Sequence, residues 1–220
     1  MNRILCIFPK NETTDFLSPI YDCLSQFPNF AGYRDYSYNQ SFNSCLNAEL
    51  EKIEEDTLVI FLGHGASNRL YGSKDKDGQM IELFNKTNTK WLKHVHFVGV
   101  ACKSKEFASN FCPNYIGFGD IVSEFSEIRN ARILEDPNYM EWAKEEDIAN
   151  FRIRLTQIIV NAISLSKCDN LLSISKMLNL CFNKQIAELL IQKSIPNYRD
   201  IADLLFDVMT DLEFVTEKRE

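Results

Sequence analysis

Two nearly continuous apolar stretches of this chain each stop at a reactive side chain. Leu58 to Leu62 leads through Gly63 into His64, and Val95 to Val100 leads through Ala101 into Cys102. Runs that are apolar at consecutive rather than alternate positions predict strands of a parallel sheet covered on both faces. A third run, Ile4 to Phe8, closed by Pro9, predicts the strand that starts the sheet. The interval between His64 and Cys102 leaves room for one crossover connection, whose minimum is about a dozen residues. Both side chains then emerge at the carboxyl edge of the sheet, where ligands collect in open α/β folds.

Between the strands the apolar period lengthens to that of a helix. Phe16, Leu17, Ile20, Tyr21 and Leu24 predict a helix from Thr14 to about Phe27, with Thr13, Thr14 or Asp15 as candidate caps and Pro28 as the stop. Gly32 to Tyr38 reads as a short strand, and a helix opening at Ser41 or Asn43 runs through Leu46 and Leu50 to Ile53. Arg69 to Ser73 and Gln79 to Leu83 flank an Asp77-Gly78 pair, a hairpin signal. Phe84 to Leu92 is expected as a short helix, Ser104 to Phe111 as a longer one, and Tyr115 to Phe118 as a strand. Beyond Glu124 only helical stripes are expected: Ile148 to Ala162, Leu171 to Leu190 with a candidate break at Phe182-Asn183, and Ile201 to Leu212 capped by Asn197 or Asp200. The fold class expected is therefore α/β, a mainly parallel sheet with helices on both faces. Residues 1–125 form the α/β core and 126–220 a helical portion packed on it.

Composition narrows the function classes. At 220 residues, 45% hydrophobic and 25% charged, the chain is an ordinary globular one. A net charge of −7 and the lack of any basic tract argue against nucleic acid and anionic membranes as partners. The N-terminal apolar run of five residues is too short for a signal core or a membrane span, which needs roughly 20. A soluble cytoplasmic protein is expected, and its seven irregularly spaced cysteines fit reduced thiols. In that compartment the glycosylation-like triplets Asn11-Glu12-Thr13 and Asn85-Lys86-Thr87 carry no weight as acceptors.

Cysteine becomes a nucleophile when its thiolate is favoured, by a nearby histidine or by a helix N-terminus. Cys102 has candidates for both, since it precedes the helix carrying Glu106 and Phe107. Glycines on each side of His64 allow a tight turn and leave an uncluttered N–H for an oxyanion. Cys6, Cys23, Cys45, Cys168 and Cys181 fall in apolar or helical patterns and read as core, Cys112 as a loop thiol. His94 and His96 enter the strand at the end opposite Cys102. No zinc spacing, dinucleotide loop, phosphate loop or serine-hydrolase elbow is present, and Ser73 and Phe84 spoil the calcium-loop register around Asp75-Lys76-Asp77-Gly78. No metal or cofactor is expected. In the acidic cluster Glu124, Glu127, Glu135 and Asp136, together with Asp120, the candidates for contacting a basic substrate side chain are Asp120 and Glu124.

Leu62-Gly63-His64-Gly65-Ala66-Ser67 and Val100-Ala101-Cys102-Lys103-Ser104, with Leu70-Tyr71-Gly72 between them and Tyr115-Ile116-Gly117-Phe118 after them, resemble the caspase-like cysteine peptidases, most nearly the bacterial CHAT-domain group. The resemblance spans Leu58 to Glu124, touches the first strand loosely and the last third only in being helical. It implies a His64–Cys102 dyad, an oxyanion hole from the backbone N–H groups of Gly65 and Cys102, and a protein substrate. It further implies an effector in bacterial defence or in regulated proteolysis, switched on by a partner protein. Lys103 departs from the small or acidic residue usual after the cysteine. Two other readings stay open: a non-catalytic caspase-like interaction module, and a small-molecule thiol hydrolase or acyltransferase.

Overall fold

A computed structural model describes residues 1–34, 40–74 and 77–217, with only the backbone at 40–43. In chain order the elements are β1 (Arg3–Phe8), α1 (Ser18–Leu24), β2 (Phe30–Arg34), α2 (Gln40–Leu50) and β3 (Thr57–Leu62). Then come β4 (Gly65–Ala66), β5 (Arg69–Lys74), β6 (Met80–Asn85), β7 (His96–Val100), α3 (Ser104–Phe111) and β8 (Tyr115–Gly117). The chain ends with α4 (Phe125–Leu134), α5 (Glu145–Ser166), α6 (Leu171–Gln192), α7 (Tyr198–Thr210) and β9 (Glu213–Val215).

The six-stranded sheet runs β2-β1-β3-β7-β8-β9 and is parallel except for β9, which lies antiparallel to β8. The fold is mixed α/β with a mainly parallel central sheet. Every residue of β3 is buried, and consecutive side chains go to opposite faces. Leu58, Ile60 and Leu62 join Ile4, Cys6, Phe8, Val98 and Val100 under α1, α5, α6 and α7. Val59 and Phe61 join Leu5, Ile7 and Phe97 under α2, α3 and the three-stranded antiparallel sheet β4-β5-β6. Phe61, Phe97, Phe107, Phe118, Phe151 and Phe182 are all fully buried, and truncating any one to alanine removes about 3–5 kcal/mol.

Several sequence expectations are corrected. The helix over Phe84 to Leu92 is absent: Phe84 belongs to β6, facing the core beside Trp91, and only a 3-10 turn at Lys90–His94 follows. A short apolar run reads equally as strand or helix, and the hairpin pairing decides it. α6 continues unbroken through Phe182-Asn183, where Asn183 donates to the Asn179 carbonyl at 2.8 Å and faces solvent. The C-terminal part is not helix alone, since β9 closes the sheet edge, with Phe214 opposite Ile116. The strand expected over Gly32 to Tyr38 begins at Phe30, and its positions beyond Arg34 lie outside the described residues. The Asp77-Gly78 hairpin forms, with Gly78 at φ 78°; Asp75 and Lys76 lie outside the described residues.

Candidate active site

β3 and β7 pair in register, Leu62 opposite Val100, and the ladder continues by one bond from the Gly63 N–H to the Val100 carbonyl at 3.2 Å. His64 and Cys102 each lie two residues beyond that last pair. The register therefore delivers the two side chains to neighbouring points on the carboxyl edge. Both are half-buried, and both line one small apolar cavity of about 20 Å³ with Leu17, Val100, Ile121 and Leu155. His94 and His96 sit at the entry to β7, away from this edge, with His96 Nε2 3.5 Å from Asp56.

The flanking glycines serve a different purpose from tight turning, because neither adopts a left-handed φ. At Gly65 a Cβ would fall 2.5 Å from the Cys102 carbonyl oxygen. Absence of a side chain there lets the two loops touch. The His64 carbonyl accepts from the Tyr71 N–H at 3.0 Å, which makes the next pair, Gly65 with Leu70, a non-hydrogen-bonded one. Alternation along the antiparallel pair then turns the Gly65 N–H away from β5.

On the cysteine side the backbone turns sharply at Lys103, which has φ 55°, before α3 begins at Ser104. The N–H groups of Lys103, Ser104 and Lys105 bond the carbonyls of Gly119, Ala101 and Phe118. Those amides are therefore occupied by backbone, and the expected stabilisation of a thiolate by the helix start does not prevail. Burial pushes the Cys102 thiol up to about 11. Sγ lies 3.2 Å from the Ile121 carbonyl oxygen, to which the neutral thiol donates. Ser104, fully buried, anchors this loop: its Oγ donates to the Gly99 carbonyl at 2.5 Å and accepts from the Phe118 N–H at 2.9 Å. Gly99 is required there, as a Cβ would lie 2.7 Å from the Ser104 Cβ.

His64 is also driven toward its neutral form. Its pKa lies below the ordinary 6.5, first because of burial; the Glu124 carboxylate opposes the shift and Lys74 reinforces it. Nε2 is 2.7 Å from the Thr13 hydroxyl, on the loop that follows β1. By sequence Thr13 is a candidate helix cap and part of a glycosylation-like triplet, yet its hydroxyl is engaged by His64 and Asn11, and no side chain caps the turn at Asp15. The signal available is position: a polar loop directly after β1, the strand that pairs with β3.

A larger cleft of about 710 Å³ opens beside His64, walled by Thr13, Gly65, Tyr71, Lys74, Met80 and Glu124. Arg69 and Glu82 form an ion pair within it. Of the two acidic candidates, Glu124 lines this cleft. Asp120 is exposed, lies outside that lining, and faces Lys103 at 4.0 Å, which offsets its charge. Glu127 holds the intervening Ser123 by two bonds of 3.0 Å.

The remaining thiols are free. Cys6, Cys168 and Cys181 are buried, as expected of core residues, whereas Cys45 is exposed and Cys23 half-buried. Cys112 is buried at the end of α3 rather than in an open loop, and burial raises its pKa. No helix among the described residues is long and apolar enough to cross a membrane.

No family model matches the sequence, and no curated protein does. Among solved structures, the chain is similar to a secreted C11 cysteine protease from Bacteroides thetaiotaomicron, determined in complex with an irreversible peptide inhibitor. The two share 12% identity over 74% of this chain and 71% of that one, with a TM-score of 0.39. A likeness that distant assigns nothing to this chain.

Proposed function

We propose that this protein is a caspase-like cysteine peptidase in which Cys102 is the nucleophile and His64 the acid/base. The observation that carries the reading is the convergence of His64 and Cys102 on one cavity at the ends of two in-register parallel strands, with Gly65 against the Cys102 backbone. In this reading the Cys102 S–H proton passes to neutral His64 as sulfur attacks a peptide carbonyl carbon. The protonated imidazole then gives that proton to the leaving amine, and water, deprotonated by His64, hydrolyses the thioester. The N–H groups of Gly65 and Cys102 are the oxyanion donors, and the cleft beside His64 receives the peptide.

A neutral imidazole and a neutral thiol held by the Ile121 carbonyl describe a resting enzyme rather than a preformed ion pair. That state supports activation by a partner protein and a dedicated protein substrate, the behaviour implied by the resemblance to the CHAT-domain group. Seven free thiols favour a reducing compartment such as the cytoplasm.

The test is cleavage of a mixed peptide library and of cell-extract proteins, read by mass spectrometry. Wild type is expected to cut, Cys102→Ala to be inert, and His64→Ala to be slower by about 10²–10⁴-fold. Equal behaviour of wild type and Cys102→Ala in cleavage and in the native pathway overturns the reading. Turnover of small esters alone, with all peptides intact, points to a thiol hydrolase instead.

A further inference from the structure

We infer that Asn11 and Thr13 form a positioning relay that fixes His64 as its Nε2–H tautomer and leaves Nδ1 as the atom that takes the Cys102 proton. The inference rests on the peptidase reading only in giving that proton a destination; the tautomer itself follows from hydrogen-bond bookkeeping.

Asn11 Oδ1 accepts from the backbone N–H groups of Thr13 at 3.0 Å and Thr14 at 3.1 Å. Backbone N–H groups can only donate, so they fix which end of the Asn11 amide is oxygen. The Thr13 hydroxyl lies 2.7 Å from that oxygen and 2.7 Å from His64 Nε2. A hydroxyl carries one proton. Were that proton directed at Nε2, two acceptor oxygens would face each other at 2.7 Å with no hydrogen between them. The proton therefore goes to Asn11 Oδ1, and the Thr13 oxygen accepts from Nε2–H. Nδ1 then holds the lone pair.

Two further observations fit a site shaped for this bond. Asn11 keeps its carbonyl toward Thr13 although its buried Nδ2 has no hydrogen-bond partner among the described residues, an arrangement that general packing disfavours. When His64 gains a proton during attack, Nε2–H donates more strongly to Thr13, whose hydroxyl passes the polarisation to Asn11 without giving up its own proton. The relay stabilises the imidazolium. The charged groups acting on His64, Glu124 at the start of α4 and Lys74 at the end of β5, belong to other elements and are untouched by changes at Thr13.

The experiment is nitrogen-15 NMR of the imidazole ring in the full chain, with Thr13→Val and Thr13→Ser beside wild type and His64→Gln for assignment. It is paired with the rate of iodoacetamide modification at Cys102, followed by peptide mass mapping near neutral pH. Wild type and Thr13→Ser are expected to show the Nε2–H tautomer with a slowly exchanging Nε2 proton. Thr13→Val is expected to lose that slow exchange, to titrate His64 at lower pH, and to modify Cys102 about tenfold more slowly. A wild-type Nδ1–H tautomer overturns the inference whether or not the valine variant folds. So does a folded Thr13→Val protein unchanged in exchange, titration and modification. If wild type is Nε2–H and Thr13→Val behaves as expected while wild type and Cys102→Ala are alike in cleavage and in the native pathway, the peptidase reading fails and the relay stands. If peptides are cut by an Nδ1–H enzyme, the relay alone fails.

Discussion

The two halves of the candidate site are built by different means. The His64 half is held by side chains, Thr13 and Asn11 from the loop after β1, and faces an open polar cleft. The Cys102 half is held by backbone, its loop bonded to Phe118 and Gly119 at the exit of β8 and pinned by the buried Ser104. Side-chain bonds can fix a tautomer and respond to a changing charge. A backbone network under apolar cover instead keeps a thiol neutral and immobile. The same burial that lowers the basicity of His64 raises that of Cys102, because in each case the low-dielectric surroundings disfavour the charged form.

The contact between the halves is the most sensitive point. Gly65→Ala forces the two loops apart, since the new Cβ meets a backbone oxygen rather than a flexible side chain. Peptide cleavage is expected to fall about 100-fold, as for a displacement of roughly 1 Å at reacting groups. Unfolding free energy should drop by only about 1–3 kcal/mol. A kinetic assay beside denaturant unfolding checks both, and equal activity would break the idea that the halves must touch.

The cysteine half depends on one hydroxyl. Ser104→Ala leaves the Gly99 carbonyl and the Phe118 N–H without that partner, at a cost of about 2–3 kcal/mol in unfolding free energy. The His64 tautomer should stay as in wild type. Measured together, the two quantities show whether the halves are separable.

Opposite pH limbs follow from the opposite shifts. Below the ordinary histidine value of 6.5 the unfolded chain binds a proton that buried His64 resists, so stability falls with pH down to the lowered folded value. For Cys102 the sign reverses. Between the ordinary 9.0 and about 11 the unfolded thiol ionises while the folded one stays protonated, so stability present below 9.0 is lost as pH rises through about 11. The difference in unfolding free energy between wild type and Cys102→Ala should therefore change by about 2 kcal/mol across that range. A flat difference would mean that Cys102 is not buried as described. The smallest effect belongs to the cleft wall: Glu124→Gln removes the charge that opposes the His64 shift, and the acid limb of a pH–rate profile moves lower. Asp120→Asn, exposed and facing Lys103, is expected to leave that limb in place.

Much of the sheet was legible before the structure. Ile4–Phe8, Leu58–Leu62 and the run ending at Val100 announce buried parallel strands because both faces of such strands are covered. The residues that terminate them are visible by position alone. Less legible was anything depending on pairing: Phe84 reads as helix until β5 places it in a strand, and Phe214 reads as the tail of a helical half until Ile116 pairs with it. The helix start beside Cys102 suggested a favoured thiolate, but which carbonyls occupy its amides is decided by β8.

The sequence by itself determined that one histidine and one cysteine stand at the ends of two buried strands, since local apolar patterning and order along the chain suffice for that. Only the tertiary structure decided what surrounds them. A parallel sheet sets side by side strands that are distant in the chain, so the loop after β1 supplies Thr13 and Asn11, the exit of β8 supplies Ile121, and the shared cover of α5 and the turn before α1 sets the polarity in which both side chains titrate.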